Sequence, residues 1–178
     1  MNKIIFLVSF FSILSSQNIN LYFSLIEEGE LDGVKENLPE LLSKYPNDPG
    51  VLFLRATLTE DGESALKQYK YVVKNFPKSI YAPKAAMKIG EYFYARGLYT
   101  QSAKLLKNIP INYPRFPQMQ RLTDLMINSF NAIGEADSAK YYSLIIKSMF
   151  PAIETGFESK DNKLSQVFSF RKKTEDLG

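Results

Sequence analysis

The sequence contains no histidine and no cysteine among its 178 residues. These absences exclude disulfide bonds, thiolate nucleophiles, imidazole bases and the usual zinc ligands. A catalytic centre would have to rest on carboxylates, lysine, serine or tyrosine, and these groups do not converge in a known catalytic, metal-binding or phosphate-binding motif. We therefore predict that the chain is not an enzyme and that it uses no cofactor and no metal.

Long apolar runs are also scarce, and the one that stands out lies at the N-terminus. Lys3 precedes an apolar stretch at residues 4–14, and Ser15, Ser16 and Gln17 follow it. This order is typical of a secretory signal peptide, predicted here over residues 1–16. A membrane anchor would need about 20 apolar residues, and a buried first helix is the other alternative. The signal peptide predicts a periplasmic or secreted protein without stable membrane insertion after its removal.

A glycine is followed four times, at nearly fixed distance, by an aromatic residue and a proline. Successive glycines are 33, 35 and 37 residues apart, and they precede their prolines by 17, 15, 17 and 17 residues. The four sets are Gly29 with Tyr45-Pro46, Gly62 with Phe76-Pro77, Gly97 with Tyr113-Pro114, and Gly134 with Phe150-Pro151. A period of this length is typical of one supersecondary unit repeated along the chain.

Residues 79–114 show how one unit is expected to fold. Apolar residues recur at spacings of three and four on both sides of Gly97, which predicts two helices. Gly97 is expected to end the first helix in the left-handed conformation, and Pro114 the second, because proline cannot extend a helix. Gly90 is expected at the point where the two helices cross, because the absence of a side chain there allows the helices to approach closely. Each glycine of the series is likewise assigned to an inter-helix turn and each proline to a helix stop.

The same unit resembles a known family of helical repeats. The run AAMKIGEYFYARGLYTQSAKLLKNIPINYP resembles a tetratricopeptide repeat (TPR), with signature positions at Gly90, Phe93, Gly97, Tyr99 and Pro114. The linkers KYPNDP and NFPKSIYAPKAA are similar to those of bacterial cell-envelope TPR proteins, such as the periplasmic Tol-Pal partner protein and the TPR lipoprotein of outer-membrane β-barrel assembly. The resemblance implies an all-α, right-handed α-solenoid of about four helix-turn-helix repeats over residues 17–153.

Charge is distributed unevenly along the chain. Residues 17–63 contain ten acidic and three basic side chains, whereas residues 64–121 contain eleven basic side chains and one acid, Glu91. Three interpretations are open: a solvated surface, a basic groove for an acidic peptide or an anionic envelope component, and head-to-tail association of two copies. Nucleic-acid binding is not predicted, because the signal peptide directs the chain out of the cytosol.

The TPR resemblance also implies which side chains would meet a partner. Concave positions of the third and fourth repeats, together with Lys88 of the basic segment, are Lys84, Met87, Lys88, Glu91, Tyr94, Arg121, Asp124, Asn128 and Asn131. We therefore expect an exported scaffold or adaptor that binds a protein or peptide of the bacterial cell envelope. The alternative is a structural subunit that forms a homo-oligomer by head-to-tail contact of its acidic first repeat with its basic middle repeats.

The C-terminal residues 154–178 lose the repeat. They are mostly polar, and Leu164, Val167, Phe168 and Phe170 lie near the basic run at residues 171–173. Either a short helix that caps the last repeat or a frayed tail fits this pattern.

Overall fold

Helices and the turns between them make up the part of the chain that the structure describes. The computed structural model describes residues 19–157, and no strand occurs within that range. Its helices are α1 (residues 19–28), α2 (Leu31–Lys44), α3 (Pro49–Leu58), α4 (Gly62–Asn75), α5 (Tyr81–Ala95), α6 (Tyr99–Leu106), α7 (Ile109–Asn112), α8 (Met119–Ala132) and α9 (Ala136–Met149). The prediction of an all-α fold is confirmed. The proposed signal peptide and residues 158–178 of the tail lie outside the described residues.

The chain divides into two units. The first is Met1–Ile89 and the second is Gly90–Gly178, so the division falls within α5. In the first unit α3 packs against both α2 and α4, and in the second α8 packs against both α6 and α9. Contacts between helices that are close in the sequence therefore organise each unit.

Three of the predicted glycine turns share one geometry. Gly29, Gly97 and Gly134 have φ values of +89°, +71° and +75°. At Gly97 the amide donates to the Tyr94 carbonyl oxygen at 3.0 Å, and the next amide donates to the Phe93 carbonyl oxygen at 2.8 Å. The same pair of hydrogen bonds occurs at the other two glycines. This Schellman motif needs a left-handed residue, which glycine adopts without a steric penalty.

Gly62 does not follow the other three, and its assignment to an inter-helix turn is wrong. It is the first residue of α4, and the Asp61 side chain caps that helix by accepting from the Ser64 amide at 2.9 Å. The spacing from Gly62 to its proline is two residues shorter than in the other sets. Gly62 therefore lies inside the helix that follows the turn, and the N-cap Asp61 marks where that helix begins.

The four aromatic-proline pairs form the same helix stop each time, as predicted. The aromatic residue is the C-cap of α2, α4, α7 and α9, with φ between −137° and −128°. Its carbonyl oxygen accepts from the amide three residues later, at 2.9 to 3.2 Å, which closes a turn. The proline occupies the second position of that turn, where its fixed φ is favourable. Pro46, Pro77, Pro114 and Pro151 therefore act as helix stops.

The second helix of the third repeat is shorter than predicted. The sequence predicted one helix up to the stop at Pro114, but α6 ends at Leu106 and a separate helix, α7, begins at Ile109. Pro110 explains the break, because it lacks an amide proton and its ring clashes with the carbonyl four residues earlier.

Gly90 brings α5 and α6 into close contact, as predicted. A Cβ atom at Gly90 would lie 2.6 Å from Cδ2 of the fully buried Leu106. The Gly90 carbonyl oxygen also accepts a hydrogen bond from buried Ser102 Oγ at 3.0 Å. Ser129 Oγ of α8 lies 3.0 Å from Ser102 Oγ, so a buried chain of polar groups joins three helices. Each hydroxyl has a partner, which removes the penalty of burying it.

An aromatic cluster fills the core of the first unit. The rings of Phe23, Phe53 and Tyr81 lie 5.5 to 5.9 Å apart, and Tyr69 continues the cluster from Phe53 at 5.5 Å. Tyr81 is 5% exposed, and its hydroxyl has no hydrogen-bond partner. Burial raises the pKa of the Tyr81 phenol, and the Asp48 carboxylate raises the same pKa further.

Replacing Tyr81 with phenylalanine is therefore expected to leave the free energy of unfolding unchanged or to increase it at neutral pH, because no hydrogen bond is lost. The matched variant Tyr69→Phe removes a buried hydroxyl that lies 3.3 Å from Thr57 Oγ1. It should cost about 1 kcal/mol. Denaturant unfolding followed by circular dichroism compares the two, and a larger loss for Tyr81→Phe than for Tyr69→Phe would contradict this interpretation.

The raised pKa of Tyr81 also makes the stability of the fold depend on pH. A buried phenol that keeps its proton stabilises the fold below the unfolded pKa of about 10, and this contribution is lost as pH rises through the folded pKa. The Tyr81→Phe variant lacks that titration. Its stability relative to the parent chain should consequently rise in the same unfolding assay as pH increases above about 10.

Candidate binding cleft

The predicted partner-binding residues fall in both units, so we describe each group separately. Lys84, Met87 and Lys88 belong to the first unit, and Glu91, Tyr94, Arg121, Asp124, Asn128 and Asn131 belong to the second.

Of the three predicted residues in the first unit, Lys84 and Lys88 reach the surface and Met87 does not. Met87 is 2% exposed, so the structure places it in the core, where no partner can contact it. Lys84 is half-buried, with Nζ 5.2 Å from the Tyr81 ring centroid and 5.8 Å from that of Phe23. In this position the ammonium group of Lys84 makes cation–π interactions with both rings. Lys88 is also half-buried.

In the second unit an ion pair joins α5 to α8. Arg121 Nη2 lies 2.6 Å from Glu91 Oε1, and the side chain of Glu91 is 22% exposed against 61% for Arg121. Tyr94 packs edge-on against Tyr99, with ring centroids 5.1 Å apart. The charge of Arg121 is therefore balanced by Glu91 of the same chain, and Arg121 is not an unpaired cation that is available to an acidic peptide.

A cleft of about 770 Å³ opens along α8. This volume falls within the range of ligand-binding pockets, about 300 to 1,000 Å³. Its walls come from α8 and from the turn after α9, and they are Gln120, Asp124, Ile127, Asn128, Ala152, Glu154, Thr155 and Gly156. Asp124 and Asn128 are two of the predicted contact residues. Asn131 is exposed on the same helix but does not line the cleft.

Gln120 of α8 holds in place the wall that is formed by the turn after α9. Its side-chain oxygen accepts from the Glu154 amide at 2.8 Å, and its nitrogen donates to the Glu154 carbonyl oxygen at 2.8 Å. The same nitrogen donates to Asp124 Oδ1 at 2.9 Å. One amide side chain therefore satisfies both backbone groups of Glu154 and orients a carboxylate of the opposite wall.

The turn that forms this wall is held at two more points. Lys147 Nζ donates to the Ile153 carbonyl oxygen at 3.0 Å. Thr155 is 7% exposed, and its hydroxyl lies 3.2 Å from the Phe157 carbonyl oxygen and 3.3 Å from the Phe157 amide. Hydrogen bonds to side chains thus replace helical structure here, and no capping helix is formed by residues 154–157.

The polar groups of the cleft suit recognition by hydrogen bonds and charge. The acidic residues Asp124 and Glu154 line it together with Asn128 and Thr155, and Ile127 is an apolar residue of its wall. Its charged lining is acidic, in contrast to the basic groove that the sequence suggested. No group of three potential metal-binding side chains occurs among the described residues.

Sequence reasoning missed Gln120 and the wall at residues 152–156. Gln120 occupies a polar position of α8 that resembles any solvated residue, and the wall lies where the repeat ends. Neither position carries a periodic or motif signal.

Comparison with models of known protein families found no family that matches the chain. A search of curated proteins likewise found no matching relative. Within residues 19–157 no helix combines the length and the hydrophobicity needed to cross a membrane. The function must consequently be inferred from the geometry and the sequence pattern.

Proposed function

We propose that the chain is an exported, TPR-like α-solenoid that acts as a scaffold or adaptor for a protein or peptide of the bacterial cell envelope. The recurring turns support the repeat: three Schellman motifs and four aromatic-proline stops follow the sequence period. Export is supported by the signal-peptide pattern of residues 1–16. The resemblance of residues 85–114 to a TPR unit supports the family.

The observation that carries the binding function is the cleft along α8. It places Asp124 and Asn128, chosen from the TPR resemblance as partner contacts, on the wall of a pocket large enough for several side chains. An apolar residue, an amide residue and two acidic residues line it, a mixture that can orient an extended peptide. Affinity would come from a few buried contacts within a larger polar rim.

Affinity capture with a charge-reversal variant tests this function. The tagged chain, expressed in its own cells and cross-linked in the envelope, should recover a partner that Asp124→Lys loses at least tenfold. Asp137→Lys is the matched control, since Asp137 is exposed on α9 and lies outside the cleft. Equal recovery by the parent chain and both variants would refute a partner site in the cleft.

Self-association is the second candidate. The side chains of Glu27 and Glu28 on α1 and of Glu36 and Glu40 on α2 are exposed, as are Lys67 and Lys74 on α4. These surfaces of opposite charge favour contact between copies. Recovery of a differently tagged copy of the chain in the capture experiment, diminished by Glu36→Lys, supports this candidate.

A further inference from the structure

The C-terminal part of α4 and the turn after it carry only positive charges. Lys67, Lys70 and Lys74 of the helix are exposed, and so is Lys78 of the turn. Residues 64–90 contain no acidic side chain, and neither does α3, the helix against which α4 packs. Lys74 and Lys78 make no ion pair with another of residues 19–157. A concentration of charge of one sign attracts a surface of the opposite sign.

The same end of α4 exposes apolar side chains. Tyr71 is 47% exposed and lies three positions before Lys74, so the two share one face of the helix. Its ring centroid is 6.3 Å from that of Phe76, where the helix ends. The turn that follows closes on the Phe76 carbonyl oxygen, and Ile80 directly after it is 63% exposed. We call this end of α4 the basic tip, and its residues are Tyr71, Lys74, Lys78 and Ile80.

A bilayer with anionic headgroups suits this combination of residues. Each lysine near such a surface strengthens binding by about fivefold. Exposed apolar side chains enter the boundary between headgroups and acyl chains, where the apolar ring and polar hydroxyl of a tyrosine are both accommodated. Nucleic acid would match the lysines, but it offers the aliphatic side chain of Ile80 no apolar environment.

We propose that the basic tip binds the surface of an anionic phospholipid membrane. Ile80 and Tyr71 lie at the headgroup boundary, and Lys74 and Lys78 lie against the headgroups. The contact is peripheral and reversible. It goes beyond the proposed function, because it uses neither the cleft along α8 nor a protein partner.

A tryptophan reporter tests the contact. Because the chain has no tryptophan, Ile80→Trp gives the full-length protein a single reporter in the basic tip. Vesicles of phosphatidylcholine and phosphatidylglycerol in equal amounts should shift its emission to shorter wavelength, and lipids brominated on their acyl chains should at least halve its intensity. Vesicles of phosphatidylcholine alone should leave the emission unchanged.

Ile111→Trp is the matched reporter, since Ile111 is 64% exposed and belongs to the second unit. Both reporter chains have the same termini, so a difference in quenching reports the basic tip and not another part of the chain. The Ile111→Trp emission should change little with either kind of vesicle.

Charge reversal tests the role of the lysines. In the Ile80→Trp chain, Lys74→Glu/Lys78→Glu should weaken binding to the anionic vesicles at least tenfold, because two favourable charges become unfavourable. Arg96→Glu/Lys140→Glu reverses two exposed charges in the second unit and should change binding by no more than about twofold. Unchanged circular dichroism spectra establish that both double variants remain folded.

Three results would overturn the proposal: equal quenching of the two reporters, quenching that persists in Lys74→Glu/Lys78→Glu, or an emission shift that appears without vesicles as the protein is concentrated. The last result would assign the basic tip to the acidic surface of a second copy. Asp124→Lys should bind vesicles as the parent chain does. Loss of partner capture alone would therefore reject only the proposed function, and loss of vesicle binding alone would reject only the membrane contact.

Discussion

Replacing Gly90 with leucine is expected to lower the free energy of unfolding by about 2 kcal/mol. The new Cβ would lie 2.6 Å from Leu106 Cδ2 and 3.0 Å from Leu106 Cγ, and Leu106 is fully buried. Overpacking of this kind costs up to about 3 kcal/mol, and the better helix propensity of leucine offsets about 0.8 kcal/mol of it. Denaturant unfolding followed by circular dichroism measures the difference.

Gly33→Leu is the matched control for this substitution. Gly33 also lies within a helix, α2, but a Cβ there has no neighbour within 4 Å. The control should keep or slightly increase stability. Combining Gly90→Leu with Leu106→Ala should cost less than the sum of the single changes, because the cavity accepts the new side chain. Additive losses would show that Gly90 and Leu106 do not share this contact.

The largest loss of stability is expected from Phe130→Ala, about 4 kcal/mol. Phe130 is 4% exposed, and its ring stacks on Tyr142 with centroids 5.4 Å apart and planes 8° from parallel. Lys107 Nζ lies 2.8 Å from the Tyr142 hydroxyl, so the stack also positions a cation between α6 and α9. Truncation leaves a cavity in the packing of α8 against α9, because the Phe130 ring is buried between Tyr142 and the rest of α8 and α9.

Met149→Ala serves as its control, since Met149 is 41% exposed at the end of α9. That change should alter stability by no more than about 0.5 kcal/mol, as surface substitutions usually do. Thermal unfolding of the two variants compares them under one set of conditions. Similar midpoints would mean that the stacked ring contributes little to the packing of α8 on α9.

The helix boundaries show what the sequence can predict. In all four sets of the repeat the aromatic residue before the proline ends a helix, because the proline cannot donate and restricts the residue before it. Glycine predicts a turn where it follows a helix, as at Gly97, but the same residue begins α4 at Gly62. A two-residue change in spacing separates the two cases, and an aspartate N-cap decides the second. Local chemistry therefore predicts the stops better than the starts.

The sequence predicted the residues of the candidate binding cleft less well than the helix boundaries. Asp124 and Asn128 line the cleft, but Met87 is buried and Arg121 is paired within the chain. Periodicity shows that a residue lies on a helix, yet which face is covered depends on neighbouring helices. The far wall is non-repetitive and is fixed by Gln120 reaching across 34 residues of sequence. A contact of that range has no local signature.

The turns have one more consequence, which concerns the route by which the chain folds. Every backbone hydrogen bond that closes a Schellman motif or an aromatic-proline stop joins residues at most five positions apart. Closing such short loops costs little chain entropy, and that cost is independent of the rest of the molecule. Proteins dominated by contacts of this range fold faster than those that must first close long loops. The Schellman motifs and aromatic-proline stops that set the length of each helix thus also allow each turn to form before the adjacent helices have packed.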